Sequence, residues 1–230
     1  MSTAFEGEDA FRAAFFEESP LFWPIAPAAR PFAASPDWPP VDAYVRAFGS
    51  MTPPVLFEEQ RRAPRRRRRA RVDPAAFYDA RIAREGRVPT RSRSWHDFLN
   101  ALVWATFPRA KRALHARQLR ALEVRVDPDA CSLPGTRSRE HDALALIDEG
   151  GVVALDDGRS TRLVLFGHAL YEGLVLRRGA MTACTIRLPV PDAGLAERDA
   201  IACAEEALLA RLAATELDSR GFERLTIPAA

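Results

Sequence analysis

The sequence predicts an α+β fold: a single domain with N-terminal helices and a Pro-rich wrapping segment, and a small, mainly antiparallel sheet packed by helices. Three observations lead there. A capped, strongly apolar helical pattern starts at Trp95, and Pro108 restarts a second one. Strand-like runs mixed with helices follow, from Asp142 onward. Pro20 to Pro54 carries nine of the eighteen prolines, interleaved with aromatic residues.

Residues 4–18 show a short helical pattern with Phe5, Phe11, Phe15 and Phe16 as apolar members. Proline fixes φ and removes donors, so Pro20 to Pro54 reads as extended, wrapping or loop-like chain. Its aromatics argue that it packs on something. Asp42 to Gly49 reads as one short helix closed by the glycine. Eight arginines crowd the 12 residues from Arg61 to Val72, a block expected to be solvated. Tyr78 to Thr90 reads as a mixed connector broken at Gly86 and Pro89. Ser94 has the place of an N-cap, with Asp97 as the acidic partner of a capping box, and the helix runs to Thr106. A second helix spans Arg109 to Leu122. In Asp142 to Leu155, two apolar runs flank Asp-Glu-Gly-Gly, a hairpin signal whose first arm also suits a short helix. Leu163 to Phe166 reads as a buried strand, His168 to Leu176 as a helix, Met181 to Val190 as a strand and Leu195 to Leu217 as an amphipathic helix. The chain divides into residues 1–60, an Arg-rich linker at 61–76 and a main domain at 77–230.

Composition narrows the function classes. Hydrophobic residues are 47% of the chain, enough for a sizeable core. No window approaches the roughly 18 apolar residues of a membrane span. The acidic start MSTAFEGEDAF is unlike a signal peptide, and Cys131, Cys184 and Cys203 form no CxxC pair. A cytoplasmic protein without structural disulfides is expected. The net charge of +2 conceals a basic middle, since residues 61–125 alone carry a net +14. Arg61 to Arg71 is the place where nucleic acid would bind. It lacks the interleaved aromatics that base stacking needs, so a solvated linker is favoured. P-loop, GxGxxG, GxSxG and HExxH strings are absent, which weakens nucleotide-binding and serine-hydrolase readings.

Polar residues inside apolar sequence supply the candidate site. His168 and Glu172 form HxxxE, which puts both on one helix face and suits two metal ligands or a His oriented by a carboxylate. His96 and Asn100 repeat the spacing and suit a divalent metal or a polarised carbonyl. Asp142, Asp148 and Glu149 offer hard oxygen ligands or a general base. The bland alternatives stand beside these: a helix-capping His, a satisfied core pair and a backbone-driven turn.

Three strings, VPTRSRSWHDFLNALVWATFPRAKRAL, HDALALIDEGGVVAL and FGHALYEGL, resemble the bacterial domain-of-unknown-function family numbered 3025 over residues 77–190. The matching positions include His96, Asp97, Asn100, Trp104, Asp148, Glu149, Gly167, His168 and Glu172. The resemblance implies no activity. The chain departs from the family pattern at Ala145 and Ile147, and it is short between Leu155 and the Phe-Gly-His string, where only LDDGRSTRLVL stands. Such strings are expected to pack together. The function read from these residues is a small-ligand or divalent-metal-binding protein of hydrolase-like character. Its catalytic candidates are His168, Glu172, His96, Asn100, Asp148 and Glu149, and its metal candidates are His168, Glu172, His96 and Asp148. The alternative is a non-catalytic protein- or nucleic-acid-interaction protein whose polar seam is structural. Trp104 is expected to be buried, with its indole N–H on an acceptor from the Asp142–Glu149 string.

Overall fold

Helix α4 (Trp95–Thr106) is buried from Phe98 to Trp104 and receives the aromatic side chains of the N-terminal segment. This is a computed structural model, and it describes residues 10–49, 55–60, 77–125 and 138–228. The Arg61–Arg71 run and Cys131 lie outside the described residues. Ser94 caps α4 as its sequence requires: its Oγ accepts from the Asp97 N–H at 3.3 Å. The Asp97 carboxylate does not close a capping box. It accepts instead from the Arg91 backbone N–H at 2.6 Å and from the Arg91 guanidinium, bracing the chain that enters the helix. Pro108 opens α5 (Pro108–Glu123), where its missing N–H costs nothing.

The N-terminal part differs from its expected form. The helical pattern over 4–18 reduces, in the described residues, to one 3₁₀ turn at Phe15–Glu17. Its phenylalanines are drawn individually onto α4: Phe11 stacks on Trp95 at 5.5 Å, and Phe15 meets Trp95 and Phe98 edge-on. Over its described residues the proline-rich stretch wraps through short helical turns, Pro20–Phe22, α1 (Ala26–Ala29), Arg30–Phe32 and α2 (Asp42–Phe48), joined by loop between Phe32 and Asp42. Prolines take first-turn positions in three of these, where a fixed φ suits a helix. Gly49, at φ 68, closes α2. The Trp23 indole N–H donates to the Leu163 carbonyl at 3.1 Å and ties this segment to the sheet.

Tyr78 to Thr90 is not a connector. It forms α3 (Tyr78–Glu85), ended by left-handed Gly86, and strand β2 (Arg87–Thr90), which pairs in parallel with β1 (Leu56–Glu59). Of the two readings of Asp142 to Leu155, the helix holds for the first run and the Asp-Glu-Gly-Gly hairpin is corrected. Ser138 caps a helix, α6 (Arg139–Gly150), and β3 (Gly151–Asp156) follows it directly. The hairpin lies one strand later, where Asp156 and Asp157 side chains hold Gly158 to Ser160 between β3 and β4 (Thr161–Leu165). Helix α7 (His168–Val175) crosses to β5 (Met181–Pro189). Helix α8 (Glu197–Ala213) and β6 (Glu223–Ile227), a strand with no clear sequence signal, complete the chain.

The order in the four-stranded sheet is β4-β3-β5-β6, with β3–β5 parallel and both outer pairings antiparallel. Strand β3 is internal, which explains its unbroken apolar run Val152–Leu155. One hydrophobic cluster extends from Phe15 to Ile227. The mixed α+β architecture is therefore the one the sequence predicts. Among the described residues no helix is long and apolar enough to cross a membrane.

Candidate metal centre

The two histidines of separate strings meet. His96, in the first turn of α4, and His168, first residue of α7, place their Nε2 atoms 3.0 Å apart. Each ring is fixed by its other nitrogen. The His168 Nδ1 lies 2.9 Å from the Asp148 carbonyl oxygen, which can only accept, so Nδ1 carries the proton. The His96 Nδ1 lies 3.4 Å from Glu172 Oε2 and donates to that carboxylate. In the neutral rings both Nε2 lone pairs therefore face each other. Glu149 adds a carboxylate oxygen 3.4 Å from His168 Nε2. One ligand atom from each of His96, Glu149 and His168 falls within 4.8 Å of the others.

Local sequence explains this meeting. Gly167 holds the turn from β4 into α7 directly on the end of α6, because its N–H donates to the Gly151 carbonyl at 2.8 Å. A Cβ there would stand 2.5 Å from the Glu149 carbonyl oxygen and 2.6 Å from the Gly150 Cα. Only glycine permits the two backbones to approach so closely. Glu149 and His168 are thus neighbours through main-chain packing, and α4 presents His96 to both.

The other candidate residues stand around this centre in distinct places. Glu172 is on the His168 face of α7, as the HxxxE spacing requires, and its carboxylate reaches back to His96; Arg178 lies 3.6 Å beyond it. Asp148 turns its carboxylate inward, 2.5 Å from the Lys111 Nζ, and faces His168 on the Nδ1 side at 3.9 Å rather than the Nε2 centre. Asn100 is one turn past His96; its amide donates to the Tyr78 hydroxyl at 3.4 Å, and its Oδ1 has no partner among the described residues. Lys111 and Tyr78 were not candidates. Lys111 has a signal in hindsight: it is the only lysine of an Arg-rich chain, and it falls at helical spacing between Phe107 and Leu114, on the buried face.

Burial and charge differ sharply between the two imidazoles. The His168 side chain is 3% exposed, and burial drives its pKa from the ordinary 6.5 down to about 3. His96, 30% exposed, moves the other way because the Glu172 carboxylate favours its charged form. That same contact lowers Glu172, while burial raises Glu149. Burial also works to raise Asp148, but Lys111 and His168 outweigh it and hold the carboxyl below its usual range. The Glu149 side chain is 48% exposed, so the centre opens to solvent on that side.

These shifts predict acid sensitivity. Below its ordinary 6.5, unfolded His168 takes up a proton that the folded ring refuses until about pH 3. Stability is lost across that window, by up to about 1.4 kcal/mol per pH unit. Asp148 works in the same sense further down. His96, raised, acts above that window: its contribution is complete below 6.5 and is lost as pH rises through its folded value; within the window the raised Glu149 works against the decline. The displacement of His168 is the larger and decides the sign. Urea unfolding of metal-free protein from pH 7 to 4 should show this decline, flattened by about one proton in His168→Gln. An equal slope in that variant would refute the assignment.

The model of a family described as protein of unknown function, DUF3025, matches residues 67–158. The match contains His96, Asn100, Lys111, Asp148 and Glu149; His168 and Glu172 lie beyond it. No curated protein and no solved structure matches the chain.

Proposed function

We propose that this protein is a metal-dependent enzyme of hydrolytic type, with one divalent cation held by His96 Nε2, His168 Nε2 and the Glu149 carboxylate. The observation that carries the reading is the 3.0 Å approach of the two Nε2 atoms, both left as acceptors when the protons sit on the Nδ1 atoms. Two neutral acceptors 3.0 Å apart repel unless something positive lies between them. Nitrogen ligands at about 2.0–2.1 Å from Zn²⁺ in tetrahedral array stand about 3.3 Å from each other, close to the spacing seen. Two imidazoles and one carboxylate also leave a coordination position open for water or substrate, the pattern of catalytic rather than structural zinc sites. Glu172 and the Asp148 carbonyl supply the hydrogen bonds that ligating histidines usually receive on their remote nitrogens.

A cation there would lower the pKa of a bound water and polarise a carbonyl or phosphoryl oxygen. The residues of the chain do the rest. Glu172 and the Asp148 carbonyl keep both rings turned inward. Glu149 sits at the solvent-facing mouth. Arg178, exposed beside Glu172, is placed to receive an anionic group of a substrate. Asn100 and Tyr78 provide polar lining one turn along α4. We read the setting as the cytoplasm of a bacterium, in keeping with Cys184 and Cys203 being free among the described residues.

A second reading has one observation in its favour. The raised pKa of His96 lets it stay protonated and donate Nε2–H to neutral His168, so the pair would be a purely structural bridge. Equilibrium dialysis against Zn²⁺, Mn²⁺ or Fe²⁺ followed by elemental analysis separates the two. One ion per folded chain is expected, with affinity reduced at least tenfold in His168→Gln and in Glu149→Gln. The loaded protein should hydrolyse a nitrophenyl carboxylate or phosphate ester faster than the metal-free protein. Uptake below a tenth of an ion per chain, with the wild-type fold intact, would leave the structural bridge as the answer.

A further inference from the structure

Lys111 is fully buried, yet it is the residue one would least expect inside this protein. Its Nζ lies 2.5 Å from Asp148 Oδ1, 5.7 Å from the Trp104 ring centre and 5.9 Å from that of Phe166. Both rings present π-faces that attract a cation, so the ammonium is held by one carboxylate and two aromatic walls. With no exposed surface it cannot touch a substrate. What it can reach is the last turn of α6. Asp148 is the hinge of that turn: its carboxylate takes Lys111, its carbonyl takes the His168 Nδ1–H, and the next residue is Glu149.

We infer that Lys111 is a positioning residue for the centre, a strut that anchors Asp148 from inside α5 so that the Asp148 carbonyl and the Glu149 carboxylate are both presented at fixed distance to His168. The inference rests on the metal reading and deepens it. A buried ion pair is seldom worth more than apolar residues of the same shape, so stability alone gives little reason for Lys111 to be there. Orientation of the groups around a metal does, since such outer partners typically account for 10–100-fold in metal affinity.

The single change Lys111→Met leaves a buried carboxylate without its partner and is expected to destabilise the fold; the charge-free double variant Lys111→Met/Asp148→Asn removes both charges at nearly constant shape. Leu208→Ala, a buried core change on α8, serves as a control for stability loss. Two quantities are read in each protein: the Zn²⁺ dissociation constant by chelator competition, and the ring ¹⁵N shifts of His168 in the metal-free state. The double variant should bind Zn²⁺ 10–100-fold more weakly, and His168 should lose its pure Nδ1–H tautomer. Leu208→Ala should change neither by more than about twofold. An affinity within twofold of wild type in the double variant, or an unchanged His168 tautomer, overturns the strut. Wild-type protein that takes up no Zn²⁺ overturns the metal reading instead, and the ¹⁵N shifts then still decide whether Lys111 sets the ring.

Discussion

Trp104→Ala is expected to destabilise the protein by about 3–5 kcal/mol, enough to unfold a marginal domain. Trp104 is fully buried on α4, stacked on His115 at 5.5 Å and 5°, with the Lys111 ammonium over its ring. Alanine would leave a large void there and remove one wall from Lys111. The indole N–H was expected on an acceptor from the Asp142–Glu149 string, and the structure corrects this: among the described residues it has no partner. The Asp148 carboxylate of that string pairs with Lys111. The correction has a consequence for phenylalanine. Since no hydrogen bond is lost, Trp104→Phe should cost only about 1–2 kcal/mol, the volume term alone. Thermal and urea unfolding of both variants checks this; a Phe variant as damaged as the Ala variant would show that the N–H has a partner after all.

Gly167→Ala is the second large effect. The added Cβ meets main-chain atoms of Glu149 and Gly150 at 2.5–2.6 Å, and no side-chain rotation relieves a clash between backbones. Overpacking of this kind typically costs about 1–3 kcal/mol, and a close approach to main chain belongs at the upper end. The site should suffer more than the fold, because the clash pushes α7 from the end of α6 and separates His168 from Glu149. Metal affinity should fall at least tenfold while the far-ultraviolet circular dichroism of the folded protein stays that of wild type. An Ala variant with wild-type affinity and melting temperature would show that the two backbones do not touch.

The elements legible in the sequence were those whose signals are local. Ser94 before an apolar period, Pro108 at a first turn and the HxxxE string each state their own structure, and α4, α5 and α7 follow. The elements missed are held by distant partners. β1 and β2 are four residues each, one containing Pro89, and they become strands only by pairing across an interval of about thirty residues. Asp-Glu-Gly-Gly has turn chemistry, yet α6 overrides it because Ser138 starts a helix whose apolar face packs inward. The candidate residues were legible as polar groups in apolar surroundings. Their division of labour was not. Which of two adjacent carboxylates points inward, and that a lysine on the next helix receives it, depends on packing between α5 and α6.

The central claim is that His96, His168 and Glu149 surround one cation. X-ray absorption at the zinc edge of protein loaded with one equivalent of Zn²⁺ tests it most directly. Two imidazole nitrogens and one or two oxygens at about 2.0–2.1 Å are expected, with one imidazole signal lost in each of His96→Gln and His168→Gln. A spectrum without imidazole scattering, or one that both substitutions leave unchanged, would contradict it.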